Sequence, residues 1–299
     1  MATILVTGAT GKQGGAVVQN LVKKNAPFTI LALTRNTQSA SAQKLLKLTK
    51  NITLLQGDLD NPGEIFKKAQ QIAGPIWGVF SVQASVGNKS AEDVQGKSLI
   101  DEAIKNNVKH FVYTSVDRHG AKSIDNPTKM PHWIFKYHIE RHLIEKTKDG
   151  QMDWTILRPT AFYDNLTPDF IGKVFATCFR MSLKGKSLQM VACSDIGAVA
   201  AEVFLNARDY RGRAISLAGD ELTYDQFVRI FKEKTGRDMP TTFNFVGAGI
   251  MGMVKEFGYM FKWFYDEGYA ADIEEVRKIH PGLKDFGTWL ETESKFEMK

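Results

Sequence analysis

Two cysteines in 299 residues, Cys178 and Cys193, are too few and wrongly spaced for a disulfide framework, a Cys-x-x-Cys pair or a zinc cluster. They read as free thiols in a reducing compartment. The basic–apolar–small pattern of a secretory leader is missing, so the cytoplasm is expected, with the nucleus as a second compartment. No apolar run is long enough for a membrane span, and even the Gly249–Tyr265 stretch is broken by Lys255, Glu256 and Lys262. Nucleic acid finds little to hold either. The formal net charge of +6 is carried by scattered lysines, with no arginine-rich arm or nucleic-acid motif. What remains, 43% hydrophobic and 24% charged, is a soluble globular composition with length enough for a large core or two joined lobes.

The chain opens with an apolar run, Thr3-Ile4-Leu5-Val6-Thr7, followed at once by Gly8-Ala9-Thr10-Gly11-Lys12-Gln13-Gly14-Gly15. Strand, glycine loop and helix start come in the order a dinucleotide pyrophosphate needs. Gly8 permits the turn, Gly11 lets the backbone approach the phosphates, and Gly14 lets the helix pack close to the strand. The helix start presents N–H groups to the anion, with Thr10, Lys12 and Gln13 around it. A second apolar run, Phe28–Leu33, should be the next strand. A dinucleotide site usually carries an acid at its end for the ribose 2′-hydroxyl. Here the sequence is Thr34-Arg35-Asn36, with no acid. A carboxylate would repel a 2′-phosphate and a guanidinium would pair with it, so Arg35, helped by Lys12, selects NADP(H) over NAD.

Further strands are expected at Asn51–Gln56, Ile76–Val82, His110–Thr114 and Trp154–Leu157. Helical segments around Ser41–Leu48, Pro62–Ile72 and Ala91–Asn106 separate them. This alternation predicts an α/β fold, a Rossmann-type doubly wound parallel sheet, with a smaller α+β C-terminal lobe. The expected division is an NADP-binding domain over 1–160 and a substrate or partner lobe over 161–299, interleaved with it. Ligands bind beyond the carboxyl ends of such strands. The residues to inspect there are Asp58 and Leu59, Val82 and Gln83, Thr114 and Ser115, and Arg158, Pro159 and Thr160. Asp58 could accept from the adenine amino group or cap the helix at Asn61-Pro62.

The segments Tyr113-Thr114-Ser115 and His132-Trp133-Ile134-Phe135-Lys136, with Leu157-Arg158-Pro159-Thr160-Ala161-Phe162-Tyr163-Asp164-Asn165 and Asp195-Ile196-Gly197, resemble the NmrA-like family of atypical short-chain dehydrogenases/reductases. The Gly-x-x-Gly-x-x-Gly spacing agrees. Reductases of that superfamily carry a Ser after the fifth strand and a Tyr-x-x-x-Lys on the next helix. In this pattern Tyr is the general acid and Lys holds the nicotinamide ribose. Here Ser115 and Lys136 fill their places while His132 stands where the Tyr belongs. The resemblance implies Lys136, His132 and Ser115 as catalytic residues, and adds Phe162 and Asn165 to the cofactor ligands. In the reductase-like branch a lysine at the place of Lys136 can serve as the acid, and an imidazole at His132 could also donate a proton.

Two functions therefore stand open. One is a redox-sensing regulator, including of transcription, that binds NADP(H) and signals through a protein partner; the missing Tyr favours it. The other is an NADPH-dependent oxidoreductase acting on a quinone, enone or carbonyl, favoured by an apolar lid with Phe162, Phe170 and Met251. For a sensor, the loops Gln83–Ser90 and Asp117–Met130 are the expected nucleotide-responsive parts. His138 and His142 have the spacing of a metal pair, but no third ligand is indicated and no metal is expected. No role is assigned to His119. In the second half, helices are expected over Asn165–Arg180 (covering the nicotinamide mouth), from Asp195 (capped by Ser194 or Asp195) and over Glu221–Lys234 (capped by Thr223). Ala214–Leu217 should be a strand. Gly249–Tyr265 reads as an amphipathic helix packed on the core, with a Met/Phe-lined lid or partner groove as the other reading.

Overall fold

The computed structural model describes residues 1–83 and 91–299. Strands and helices alternate through the first half: β1 (Ala2–Val6), α1 (Lys12–Lys23), β2 (Phe28–Thr34), α2 (Ala40–Leu46), β3 (Ile52–Gln56), α3 (Pro62–Ala73), β4 (Ile76–Ser81), α4 (Ala91–Lys105), β5 (His110–Thr114), α5 (Pro131–Lys146) and β6 (Asp153–Pro159). There follow β7 (Ala161–Phe162), α6 (Phe170–Leu183), β8 (Leu188–Val191), α7 (Cys193–Leu205), α8 (Ala207–Tyr210), β9 (Arg213–Leu217) and β10 (Asp220–Leu222). The chain ends in α9 (Tyr224–Thr235), α10 (Asn244–Met253), α11 (Lys255–Asp266), α12 (Ile273–Ile279) and α13 (Phe286–Glu293). Among the described residues no helix is long and apolar enough to cross a membrane.

The chain forms two compact units. The first comprises Met1–Val116, His132–Arg158 and Ile196–Ile215, and the second comprises Asp117–Pro131, Pro159–Asp195 and Ser216–Lys299. A seven-stranded sheet runs in the order β3-β2-β1-β4-β5-β6-β9, and its first six strands pair in parallel. Strands buried on both faces should read as near-continuous apolar runs rather than alternating ones. Leu5, Leu31, Leu33, Val79, Phe111 and Ile156 obey this, packing with Leu99, Ile100, Ile139 and Leu143 of α4 and α5 in one core. The strand order reverses at β1, which has β2 on one side and β4 on the other. That switch point is where an open parallel sheet offers a crevice.

In the second unit β8 pairs with β10 antiparallel and with β7 parallel. Its core is aromatic: Phe227 stacks on Phe286 at 4.2 Å, and Phe175 meets Phe261 at 5.5 Å between ring centroids. Helix α9 starts at a capping box in which Thr223 and Gln226 exchange bonds, one turn tighter than the expected Glu221 start, because Asp220–Leu222 is a strand.

Two expectations change here. Helix α7 begins at Cys193, and neither Ser194 nor Asp195 caps it. Its first N–H is met by the Asp164 carboxylate at 2.9 Å, while Asp195 is taken by Lys284 Nζ at 2.8 Å and the Lys284 N–H at 3.0 Å. The Gly249–Tyr265 pattern belongs to two helices broken at Val254, not to one packed helix. Phe261 and Phe264 on α11 are buried, whereas Met253 is 83% exposed.

Candidate functional site

The glycine loop sits at the switch point of the first unit. The Thr7 hydroxyl accepts from the Val82 N–H at 2.8 Å and donates to the Val82 carbonyl at 2.9 Å, which ties the ends of β1 and β4 together. Gly8 turns the chain at φ of 56°, and a Cβ there would stand 2.6 Å from Val82 Cγ1. A Cβ on Gly14 would come within 2.5 Å of the Gly8 and Thr7 backbone, so only glycine lets α1 start this close to β1. Gly11 differs. It is the N-cap of α1 in extended backbone, and its Cβ would meet only the Gly8 carbonyl at 3.3 Å. No side chain caps α1 and its first turn has no acid, so the positive end of the helix dipole is left for an external anion. Lys12 is exposed beside it, and Gln13 is fixed by the Thr114 hydroxyl, which donates to its Oε1 at 2.6 Å.

Next to the loop lies a cavity of about 220 Å³ lined by Gly8 and Thr10, Thr34 and Arg35, Gly57–Leu59, Val82, and Ala91 and Gln95 of α4. Arg35 is the single cation and Asp58 the single acid lining it among the described residues. Asp58 does not cap α3. Asn61 occupies the cap position without a side-chain bond, and Asp58 Oδ1 accepts from the Asp60 N–H at 3.1 Å. Gln83, only 4% exposed, donates from Nε2 to the Ser81 hydroxyl at 2.8 Å and leaves Oε1 buried without a hydrogen-bond partner among the described residues. A buried acceptor of this kind is costly unless something arrives to satisfy it. A cradle that Cβ atoms would fill, an orphan acceptor and a cation where an acid would exclude a phosphate together fit a phosphorylated dinucleotide. The Gln83–Ser90 loop, apart from Gln83 itself, lies outside the described residues.

The same unit carries Ser115, His132 and Lys136. Ser115 is buried at the end of β5, its N–H donating to the Leu157 carbonyl at 2.7 Å. His132 stands in the first turn of α5, edge-on to Trp133, with Lys136 one turn on. Lys136 is not a solvated cation: its Nζ is 2.8 Å from Glu92 Oε1 and 6.0 Å from the centre of the buried Tyr113 ring. The motif arginine, Arg158, is structural. Its Nη2 and Nε donate to Glu140 on α5 at 2.7 and 3.2 Å, a buried two-bond clamp between β6 and the helix that carries Lys136.

Four expected ligands belong to the second unit. Thr160 is buried with its hydroxyl spent on the Leu217 carbonyl at 3.0 Å, and the Pro159 carbonyl accepts from the Asp117 N–H at 3.0 Å. Phe162 is half-buried and Asn165 exposed. His119, without an expected role, latches that unit's loop at φ of 81°: its Nδ1 reaches the Glu267 and Gly268 carbonyls at 3.1 Å. His142 of the expected histidine pair is engaged by Asp101 at 2.9 Å. Glu92, Glu140 and Gly96 were not foreseeable as site-shaping residues. Acids on a helix ordinarily signal only a solvated face.

A parallel sheet in this order, with a glycine loop at its switch point, defines a Rossmann-type dinucleotide-binding fold. The chain belongs to the NmrA-like family, whose model matches residues 1–289. It is 27% identical over 248 residues to an NmrA-like family domain-containing protein of Dictyostelium discoideum, covering 80% of each chain. It is also 27% identical to the NmrA-like family domain-containing oxidoreductase FrzB of Cladobotryum sp, covering 78% of this chain and 74% of that one. Among solved structures, Citrobacter sp. triphenylmethane reductase complexed with NADP(H) superposes with a TM-score of 0.74 at 17% identity, covering 97% of this chain and 99% of the other. An NADPH-dependent quinone oxidoreductase of Escherichia coli gives a TM-score of 0.69 at 20% identity, covering 96% and 98%. Likenesses at these identities show the fold.

Proposed function

We propose that the chain is an NADPH-dependent oxidoreductase that reduces a small quinone, enone or carbonyl compound. The observation that carries this reading is the Lys136 ammonium, largely withdrawn from water one turn beyond His132 and facing a buried carboxylate. A lysine that only decorates a surface needs no buried counter-charge, whereas one that must deliver a proton in a dry site does. The oxidoreductase names among the relatives and the NADP(H) of the triphenylmethane reductase complex support the same direction. The regulator reading rests on the missing tyrosine, and Lys136 offers a donor in its place.

The cofactor is NADP(H). Arg35 would hold the 2′-phosphate, the N–H groups of the glycine loop and α1 the pyrophosphate, Asp58 the adenine amine, and Gln83 would offer its acceptor oxygen. When bound, NADPH supplies the hydride. Lys136 donates a proton to the acceptor oxygen as negative charge builds there, and water restores that proton. His132 and Ser115 would assist by hydrogen bonding once the acceptor is bound.

Following NADPH absorbance with a panel of quinones and enones tests the activity. At least one acceptor should be reduced, and Lys136→Ala should lower turnover by roughly 10²–10⁴ while changing NADPH affinity far less. Failure of every acceptor overturns the reading. For the cofactor, Arg35→Ala should cost about 1.5–3 kcal/mol of NADPH binding and leave NADH binding unchanged. Equal affinity of the wild type for the two nucleotides would sink the NADP(H) assignment.

A further inference from the structure

Helices α4 and α5 meet where Gly96 of α4 receives the Ile139 side chain of α5. A Cβ on Gly96 would stand 2.5 Å from Ile139 Cδ1 and 2.8 Å from its Cγ1, so a larger residue would have to displace the Ile139 side chain. Glu92 lies one turn before Gly96 on α4, and Lys136 lies three residues before Ile139 on α5. The close approach therefore brings the first turn of α4 against the start of α5. There Glu92, its side chain 3% exposed, faces Lys136, its side chain 13% exposed, at 2.8 Å. One turn further on, the clamp of Glu140 and Arg158 fixes the same helix to β6. The first turn of α4 has a second face: Ala91 and Gln95 line the nucleotide cavity, and Gln95 Nε2 donates to Asp60 Oδ1 at 2.7 Å.

We propose that Glu92 is a positioning residue for Lys136, acting from a helical turn that also lines the nucleotide cavity. A lysine stem has four rotatable bonds, and its head left alone would sample many directions. The Glu92 carboxylate stands as a buried counter-charge 2.8 Å from the ammonium and draws the head towards one direction. Because the turn carrying Glu92 also carries Ala91 and Gln95, filling the nucleotide cavity steadies the residue that aims the lysine. The effect on turnover rests on the oxidoreductase reading; the placement of the lysine does not.

The test compares wild type, Glu92→Ala, Glu92→Gln and Lys136→Ala as full-length chains. Acylation of individual lysines by a water-soluble amine reagent is read by peptide mass spectrometry, and kcat and KM are measured with an acceptor the wild type reduces. In Glu92→Ala, Lys136 should acylate several-fold faster than in wild type while the exposed Lys50 keeps its rate. Turnover should fall about 10–100-fold with a much smaller change in KM, as expected when a reacting group is displaced by about 1 Å. Glu92→Gln, which keeps the shape and removes the charge, should also free Lys136 to acylate faster and remains informative if the alanine variant fails to fold. Wild-type acylation of Lys136 in both Glu92 variants overturns the proposal, as does a kcat equal to wild type in both. If wild type reduces no acceptor, the oxidoreductase reading fails by itself, and the acylation rates still decide the role of Glu92.

Discussion

Gly11 and Gly14 lie three residues apart in one loop, and their missing side chains answer different demands. At Gly14 the demand is internal, since a Cβ would be 2.4 Å from the Gly8 carbonyl oxygen. At Gly11 the backbone is extended and a Cβ would meet the Gly8 carbonyl oxygen at 3.3 Å, which asks for a shift of only a few tenths of an ångström, so the larger demand is the one proposed for the phosphates. Gly11→Val should fold with a melting temperature within a few degrees of wild type and bind no NADPH. Gly14→Ala should be strongly destabilised before binding is in question, because backbone atoms must move. Normal NADPH binding by Gly11→Val would show that the loop is no phosphate cradle. Both glycines and Arg35 were expected from the spacing of a nucleotide loop, and Lys136 from the family resemblance. Glu92 was not. Its meaning depends on the Gly96–Ile139 contact between two helices, and no local pattern records that contact.

The helix α5 is held at three successive levels, and the strongest is the pair Glu140–Arg158, both nearly inaccessible. Removing one partner leaves the other as an uncompensated buried charge. Glu140→Ala should therefore lose roughly 3–5 kcal/mol in urea unfolding. Replacing both at once, Glu140→Leu with Arg158→Met, should recover most of it. A single substitution costing less than about 1 kcal/mol would mean that the clamp does not order α5. At this scale the first half was legible because helix-length and strand-length patterns alternate there. The second half was harder for a physical reason: Val254, at φ of −97° and ψ of 81°, splits an apolar pattern that keeps helical spacing on both sides. Periodicity reports which residues share a face and is blind to a single break in the axis. The cap of α7 was hidden for a related reason, since Asp164 reaches it from 29 residues upstream.

The stability of the whole molecule should depend on His110, at the start of β5. Its ring stacks on Trp77, its Nε2 is 2.9 Å from the Thr155 hydroxyl, and its Nδ1 is buried without a partner. Burial penalises the imidazolium and lowers its pKa from 6.5 to about 4. The unfolded chain takes up that proton below pH 6.5 and the folded one only near 4, so this contribution is complete above 6.5 and is lost as pH falls towards 4. The loss should approach about 3 kcal/mol. His110→Phe should flatten this part of the profile between pH 7 and 4; an unchanged profile would exclude His110 as its source. The route of the chain has another effect at this scale. It passes between the two units five times, and unit one needs Ile196–Ile215, where Gly197 approaches the Ala16 backbone to a distance only glycine allows. Neither unit can be excised as a continuous cassette. A single crossover between relatives inside residues 117–215 would leave both units with segments from different parents, so viable chimeras with such junctions should be rare.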